Sequence, residues 1–174
     1  SNERITPHTI MLPGTTDTNH LGHQPSSKEE TTHLTRLFAY RGKAKYEHDV
    51  EIPKTWKNTR PTLFLERTKP TQVYLDNVYV GSSNDISTPQ RYILPIKKPG
   101  LHHVTIIVDN ASGVPQQIYA SSHAYTEDTQ TNWNGIIGQI YIKAENASED
   151  TTNTYNGPTN DCFKNFHADQ HHFF

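Results

Sequence analysis

Val73-Tyr74-Leu75-Asp76-Asn77-Val78-Tyr79-Val80-Gly81 is the stretch whose reading decides the fold. Two runs of β-branched and aromatic residues, which suit a pleated, half-buried surface, flank Asp76-Asn77. Both central residues tolerate the positive φ of a two-residue hairpin turn. Upstream, residues 62–67 form a further strand candidate, and residues 44–52 another. In the latter, Tyr46, His48 and Val50 alternate with Glu47, Asp49 and Glu51, the period of a sheet with one wet face. Residues 34–40 precede it across Arg41-Gly42-Lys43, and Thr9-Ile10-Met11-Leu12 is a short strand candidate in a loop-rich opening segment. Downstream, residues 91–96 and 102–108 bracket the turn Lys97-Lys98-Pro99-Gly100. Residues 117–121 are a shorter candidate, and residues 138–144 close the series. Strands at this spacing, with no helical stretch between them, predict an all-β sandwich or jelly roll.

Composition agrees with that class. The chain has 174 residues, enough for one domain of ordinary size, or one domain and a tail. Leu, Ile, Val and Phe make up only about a fifth of it, the lower edge of what a packed core needs. The net charge of −2 lacks the excess that marks disordered chains. Nine Tyr and 22 Thr supply bulk and β-branching instead. The 16 Lys and Arg are scattered, so no basic stripe faces a phosphate backbone and no nucleic acid is expected as partner. No run of 18 apolar residues predicts a membrane helix, and no membrane partner is expected. Cys162 is the single cysteine, which excludes an internal disulfide and a multi-cysteine zinc site.

Residues 1–8 read as an N-terminal arm or a cloning remnant, 9–146 as the domain, and 147–174 as a polar, then aromatic and His-rich tail. Within the tail, residues 148–160 are almost all polar and read as solvated. Trp56 sits on a turn and is expected to plug one end of the sandwich. His102-His103, beside a turn, read as ordinary solvated side chains.

The segment 123–138 holds the candidate site. It combines Thr126, Thr129, Gln130, Thr131, Asn132 and Asn134 with Trp133. Saccharide recognition uses this mixture: an aromatic face against the C–H side of a pyranose, with amides and hydroxyls for its oxygens. The competing role for Trp133 is as a core or domain-interface residue, with the amides capping loop backbone. Glycoside hydrolysis needs two carboxyl groups about 5 Å or roughly 6.5–9.5 Å apart, one with a raised pKa. The acidic residues fall on turns or wet strand faces, so no catalytic residue is assigned and the isolated chain is not expected to be an enzyme. The tail gives His167, His171 and His172 no defined scaffold for a structural zinc.

Several phrases together resemble the N-terminal sugar-binding domain of glycoside hydrolase family 2, which includes β-galactosidases, β-glucuronidases and β-mannosidases. They are Leu12-Pro13-Gly14-Thr15-Thr16-Asp17, Leu34-Thr35-Arg36, residues 46–53 followed by Trp56-Lys57, and Leu63-Phe64-Leu65-Glu66-Arg67-Thr68. The hairpin ending Val80-Gly81 follows, then Val108-Asp109-Asn110 and Thr129-Gln130-Thr131-Asn132-Trp133-Asn134-Gly135-Ile136-Ile137-Gly138. The resemblance implies a galactose-binding-like jelly-roll β-sandwich over residues 9–146. By position in that family, Thr129, Gln130, Thr131, Asn132 and Trp133 would approach the terminal sugar of a β-linked glycan. A following immunoglobulin-like domain and a catalytic (β/α)8 barrel would be the protein partners; neither begins within this chain. The implied function is a non-catalytic carbohydrate-recognition domain of a family 2-type, β-galactosidase-like glycosidase. The alternative is a structural or interaction module that packs on another domain without binding sugar strongly. A secreted or periplasmic location is implied in the same way. No cofactor is required. Jelly rolls of this type sometimes hold a structural calcium through loop oxygens, and Asp17, Asp76, Asp85 and Asp109 are contributors to consider, although no spacing singles them out.

Overall fold

A computed structural model describes residues 8–23, 37–112, 117, 132–146 and 164–170. Among these residues the structure is an all-β sandwich. The strands are β1 (His8–Met11), β2 (Gly14–Thr15), β3 (Lys43–Ile52), β4 (Thr59–Leu65), β5 (Thr71–Leu75), β6 (Val78–Ser83), β7 (Gln90–Ile93), β8 (Gly100–Asp109), β9 (Gly135–Ile136), β10 (Ile140–Asn146) and β11 (Lys164–Gln170). A six-stranded sheet runs β1-β11-β3-β8-β5-β6, a three-stranded sheet runs β10-β4-β7, and β2 pairs with β9. The described neighbours are antiparallel.

The hairpin forms as expected: β5 and β6 meet across Asp76 (φ 50°) and Asn77 (φ 65°). The alternation in residues 44–52 becomes β3, which pairs with β8 from Lys43↔Asp109 to Ile52↔Gly100. Ala44 and Tyr46 turn inward with Val104, Ile106 and Val108 of β8 and Val73 and Leu75 of β5. Leu63, Leu65, Tyr92, Ile140 and Ile142 meet them from the other sheet. Each such aliphatic side chain contributes roughly 1.5–3 kcal/mol by leaving water. On the outer face of β4, Phe64 is covered by Tyr141, stacked at 4.7 Å, and by the Arg91 guanidinium at 4.9 Å.

Several boundaries differ from the sequence reading. The described part of 34–40, residues 37–40, is no strand but a single bridge, Ala39↔His23. β7 stops at Ile93: the Leu94 amide still bonds the Pro61 carbonyl in the β4 register, but Pro61 has no N–H to return, and the Ile96 amide turns to the Leu94 carbonyl. The closing strand β10 starts at Ile140, since Ile137, Gly138 and Gln139 are held against the end of β4 instead. Trp56 ends a short 3-10 turn, Lys54–Trp56, and packs partly buried against the core, the plug expected of it. β11 comes from the C-terminal segment and lies between β1 and β3. Residues 118–121 and 148–160 lie outside the described residues.

Candidate functional site

At the end of the sandwich where β8 finishes and β3 begins, the segment 132–139 crosses the two sheets. Three buried asparagines hold it there: Asn110, Asn132 and Asn134. Asn134 Nδ2 donates to the carbonyls of Val108 (2.9 Å) and Gly42 (3.1 Å). Its Oδ1 accepts from the hydroxyl of Tyr46 at 2.8 Å. Asn110 Oδ1 accepts from Gly42 N at 2.8 Å, and its Nδ2 donates to Tyr40 O at 2.9 Å. Asn132 Nδ2 donates to Asn110 O at 2.9 Å. A primary amide serves here because it offers donors and an acceptor in one plane, and backbone groups at a buried strand end need partners. Asn110 heads a glycosylation triplet with Ala111 and Ser112, yet its amide is wholly enclosed and committed on both atoms.

The tyrosines of this network are held protonated. Burial pushes the Tyr46 phenol far above its ordinary value, with Tyr40 adding to the shift. Burial, with the Asp109 charge, pushes Tyr40 up to about 12.

The segment is then pinned from outside. Gly135 has φ +150°, and a Cβ there would stand 2.3 Å from Gly14 O, so only glycine fits. Thr68 Oγ1 donates to Gly135 O at 2.8 Å, and Ile137 N to Arg67 O at 3.0 Å. Glu66 Oε2 accepts from Gln139 N at 2.6 Å, while a Cβ on Gly138 would meet Glu66 Cβ at 2.6 Å.

Trp133 sits half-buried on this frame. One face of its indole meets the ammonium of Lys69, with Nζ 4.7 Å from the ring centroid, an attraction of about 0.5–2 kcal/mol depending on solvation. Lys69 is itself buried, and its carbonyl accepts from Gln90 Nε2 at 3.2 Å. Gln90 in turn belongs to a buried cluster with Thr71 and Tyr92, whose hydroxyls lie 2.6 Å apart.

Of the five residues expected to reach a saccharide, Thr129, Gln130 and Thr131 lie outside the described residues. Asn132 is buried and braces Asn110; Trp133 presents only part of its ring to solvent. Lys69 was not singled out from the sequence. A lysine in Arg67-Thr68-Lys69-Pro70 looks like a solvated turn residue until the segment 132–139 is laid over it. Of the four aspartates considered for calcium, Asp109 accepts from Ala111 N and Ser112 N and Asp85 from Ser87 and Thr88 within their own turns, while Asp17 accepts from Phe38 N and Asp76 from His103 N, each from a distant segment.

No protein-family model matches the chain, and no curated protein does. A solved structure does share its fold. The β-glucuronidase from Ruminococcus gnavus, in complex with uronic isofagomine, superposes with a TM-score of 0.55 at 15% identity, covering 80% of this chain and 23% of that one. The fold is one a β-glucuronidase also contains. A GH2 β-galacturonidase from Eisenbergiella tayi, bound to galacturonate, matches over 62% of this chain and 17% of its own, at 24% identity and a TM-score of 0.46. This chain therefore spans less than a quarter of the length of either protein. At 15% identity the likeness to the β-glucuronidase is one of fold.

Proposed function

We propose that this chain is a carbohydrate-recognition domain of a family 2-type glycosidase, which positions a β-linked glycan terminus for a catalytic barrel carried outside these residues. The observation that carries the reading is Trp133. It is a half-buried indole on a rigid frame, at the end of a segment rich in amides and hydroxyls, in a fold also found in a β-glucuronidase. With one ring face on Lys69, a pyranose would use the exposed part of the ring, and Thr129, Gln130 and Thr131 would reach its hydroxyls. Secretion or export to a periplasm suits such a role.

Four of the described carboxylates are unsuited to act as a glycosidase's acid. A glycosidase acid needs a raised pKa. Glu47, Asp76, Asp85 and Glu145 are instead held below their ordinary values. For Asp85 the cause is the hydroxyl and amide donors of Thr88 and Ser87. For Glu145, burial opposes the shift, and bonds from Lys143 and Thr62 outweigh it.

A second reading has its own observation. Asn132 and one face of Trp133 already serve internal contacts, which suits a module that packs this end against a neighbouring domain. Titration of the chain with galactose, glucuronic acid, mannose and β-linked disaccharides, followed by amide shifts, separates the two. Millimolar affinity, about −4 kcal/mol, with shifts confined to residues 129–139 and abolished in a folded Trp133→Ala variant, is the expected result. An unfolded Trp133→Ala protein, or no shifts up to tens of millimolar, would favour the packing module.

A further inference from the structure

Two adjacent histidines at the opposite end of β8 have hydrogen-bond partners that only a doubly protonated ring can satisfy. His102 Nδ1 lies 2.7 Å from Asp76 Oδ2, and its Nε2 lies 2.8 Å from the carbonyl oxygen of Lys98. A carbonyl oxygen can only accept, so Nε2 must carry a hydrogen. Asp76 also accepts from His103 N through Oδ1 at 2.8 Å, which favours its ionised form and requires a hydrogen on Nδ1 as well. His103 repeats the pattern, with Nδ1 2.6 Å from Asp49 Oδ1 and Nε2 3.3 Å from Glu47 Oε1. The expectation that both rings are merely solvated does not hold.

We propose that His102 and His103 form a pH-sensitive clamp. As imidazolium ions they fasten the β5–β6 turn and the turn at Lys98 to β8 and β3, and loss of their protons releases that end of the sheet.

The surrounding charges set the direction. Around the rings stand Asp76 from the β5–β6 turn and Glu47, Asp49 and Glu51 from β3, with Lys45 paired to Glu47 at 3.1 Å. In backbone register, β11 places His167 opposite Glu47 and Asp169 opposite Lys45; β5 places Tyr74 opposite Thr105 and β3 places His48 opposite Val104. With both imidazoles charged, the two rings and Lys45 offset three of these four carboxylate charges. With both neutral, Glu47, Asp49, Glu51 and Asp76 crowd together with Lys45 as their near cation. The pKa directions agree. Burial works against the charged ring of His102, but bonds to Asp76 and Lys98, and the charges of Asp76 and Glu51, carry its pKa above the ordinary value. The bond to Asp49 raises that of His103, against burial and with help from Glu47. The clamp is therefore closed below the ordinary histidine pKa of about 6.5 and opens as pH rises through the elevated values.

Long-range nitrogen–proton NMR of the full chain tests this. At pH 6 both nitrogens of His102 and of His103 should carry protons, with titration midpoints above that of histidine in an unstructured peptide. Asp76→Asn should move the His102 midpoint down, and Asp49→Asn that of His103. Hydrogen-exchange protection of the Asp76 and His103 amides should fall across the same titration, beyond the intrinsic rise with pH. Neutral single tautomers at pH 6, midpoints at the peptide value or unmoved in the variants, or protection indifferent to the titration would each overturn the proposal. The wild-type spectra decide it even if a variant fails to fold. Residues 129–139 report on saccharide binding separately, so the two readings fail independently.

Discussion

The two ends of the β3–β8 pair are built from different chemistry. His102 and Asn110 are eight positions apart along the chain, about 26 Å at roughly 3.3 Å per residue. The Asn110 end is latched by neutral amides and a tyrosine, all buried. The His102 end is latched by ionised groups that remain partly in water; the Asp76 and Asp49 side chains are 48% and 60% exposed. Neutral amides in a closed site are indifferent to pH and salt, and leaving one partner unpaired there costs the full desolvation of that group. Exposed ion pairs contribute little each and depend on protonation and screening. One end holds the candidate site still; the other is free to respond to its medium.

Substitution at the amide end should have the largest effects. Gly135→Ala forces a Cβ into Gly14 O in a backbone region unfavourable to side chains. It should cost upwards of about 3 kcal/mol, and urea unfolding would show a collapsed midpoint or no folded baseline. Asn134→Ala strips partners from Tyr46 Oη, Val108 O and Gly42 O. A loss of about 2–4 kcal/mol is expected, unchanged between pH 5 and 9; a pH-dependent loss would erase the contrast between the ends. Tyr46→Phe removes one donor from the same amide and should cost about 1–2 kcal/mol. In an alkaline absorbance titration of the wild type, Tyr46 should ionise only on unfolding and Tyr40 near about 12.

Smaller effects belong to the charged end. Asp76→Asn should cost about 0.2–1 kcal/mol at pH 6. The loss should shrink as pH rises, because a raised histidine pKa contributes stability below about 6.5 and loses it above. The lowered carboxyls Asp76 and Glu47 act in the opposite sense: for Asp76 the bond from His103 N leads, and for Glu47 bonds from Lys45 and His103 outweigh burial. Their contribution is complete above about 4 and lost as pH falls through the lowered values. Thermal midpoints should therefore peak between about pH 4.5 and 6.5, and molar salt should flatten the peak. Lys45→Ala should change stability by less than about 0.5 kcal/mol.

Local pattern alone determined the hairpin at Asp76-Asn77, the β3 alternation from Tyr46 to Glu51 and the all-β class, because turn chemistry and period-2 patterning act between near neighbours in the chain. Strand ends were less legible: Leu94 and Gly138 look like strand residues until Pro61, which has no N–H to return a ladder bond, and the side chain of Glu66 set their surroundings. Residues 164–170 lack clear alternation, and pairing with β1 and β3 makes β11 a strand. The candidate site was visible as an amide-rich segment around Trp133, whereas Lys69 beneath the indole was not, since 64 positions separate them in the chain. The same holds for Asn134 with Tyr46, and for His103 with Asp49. A side chain's partner, and hence its charge state, is decided by which distant backbone it meets, and only the tertiary structure brings those backbones together.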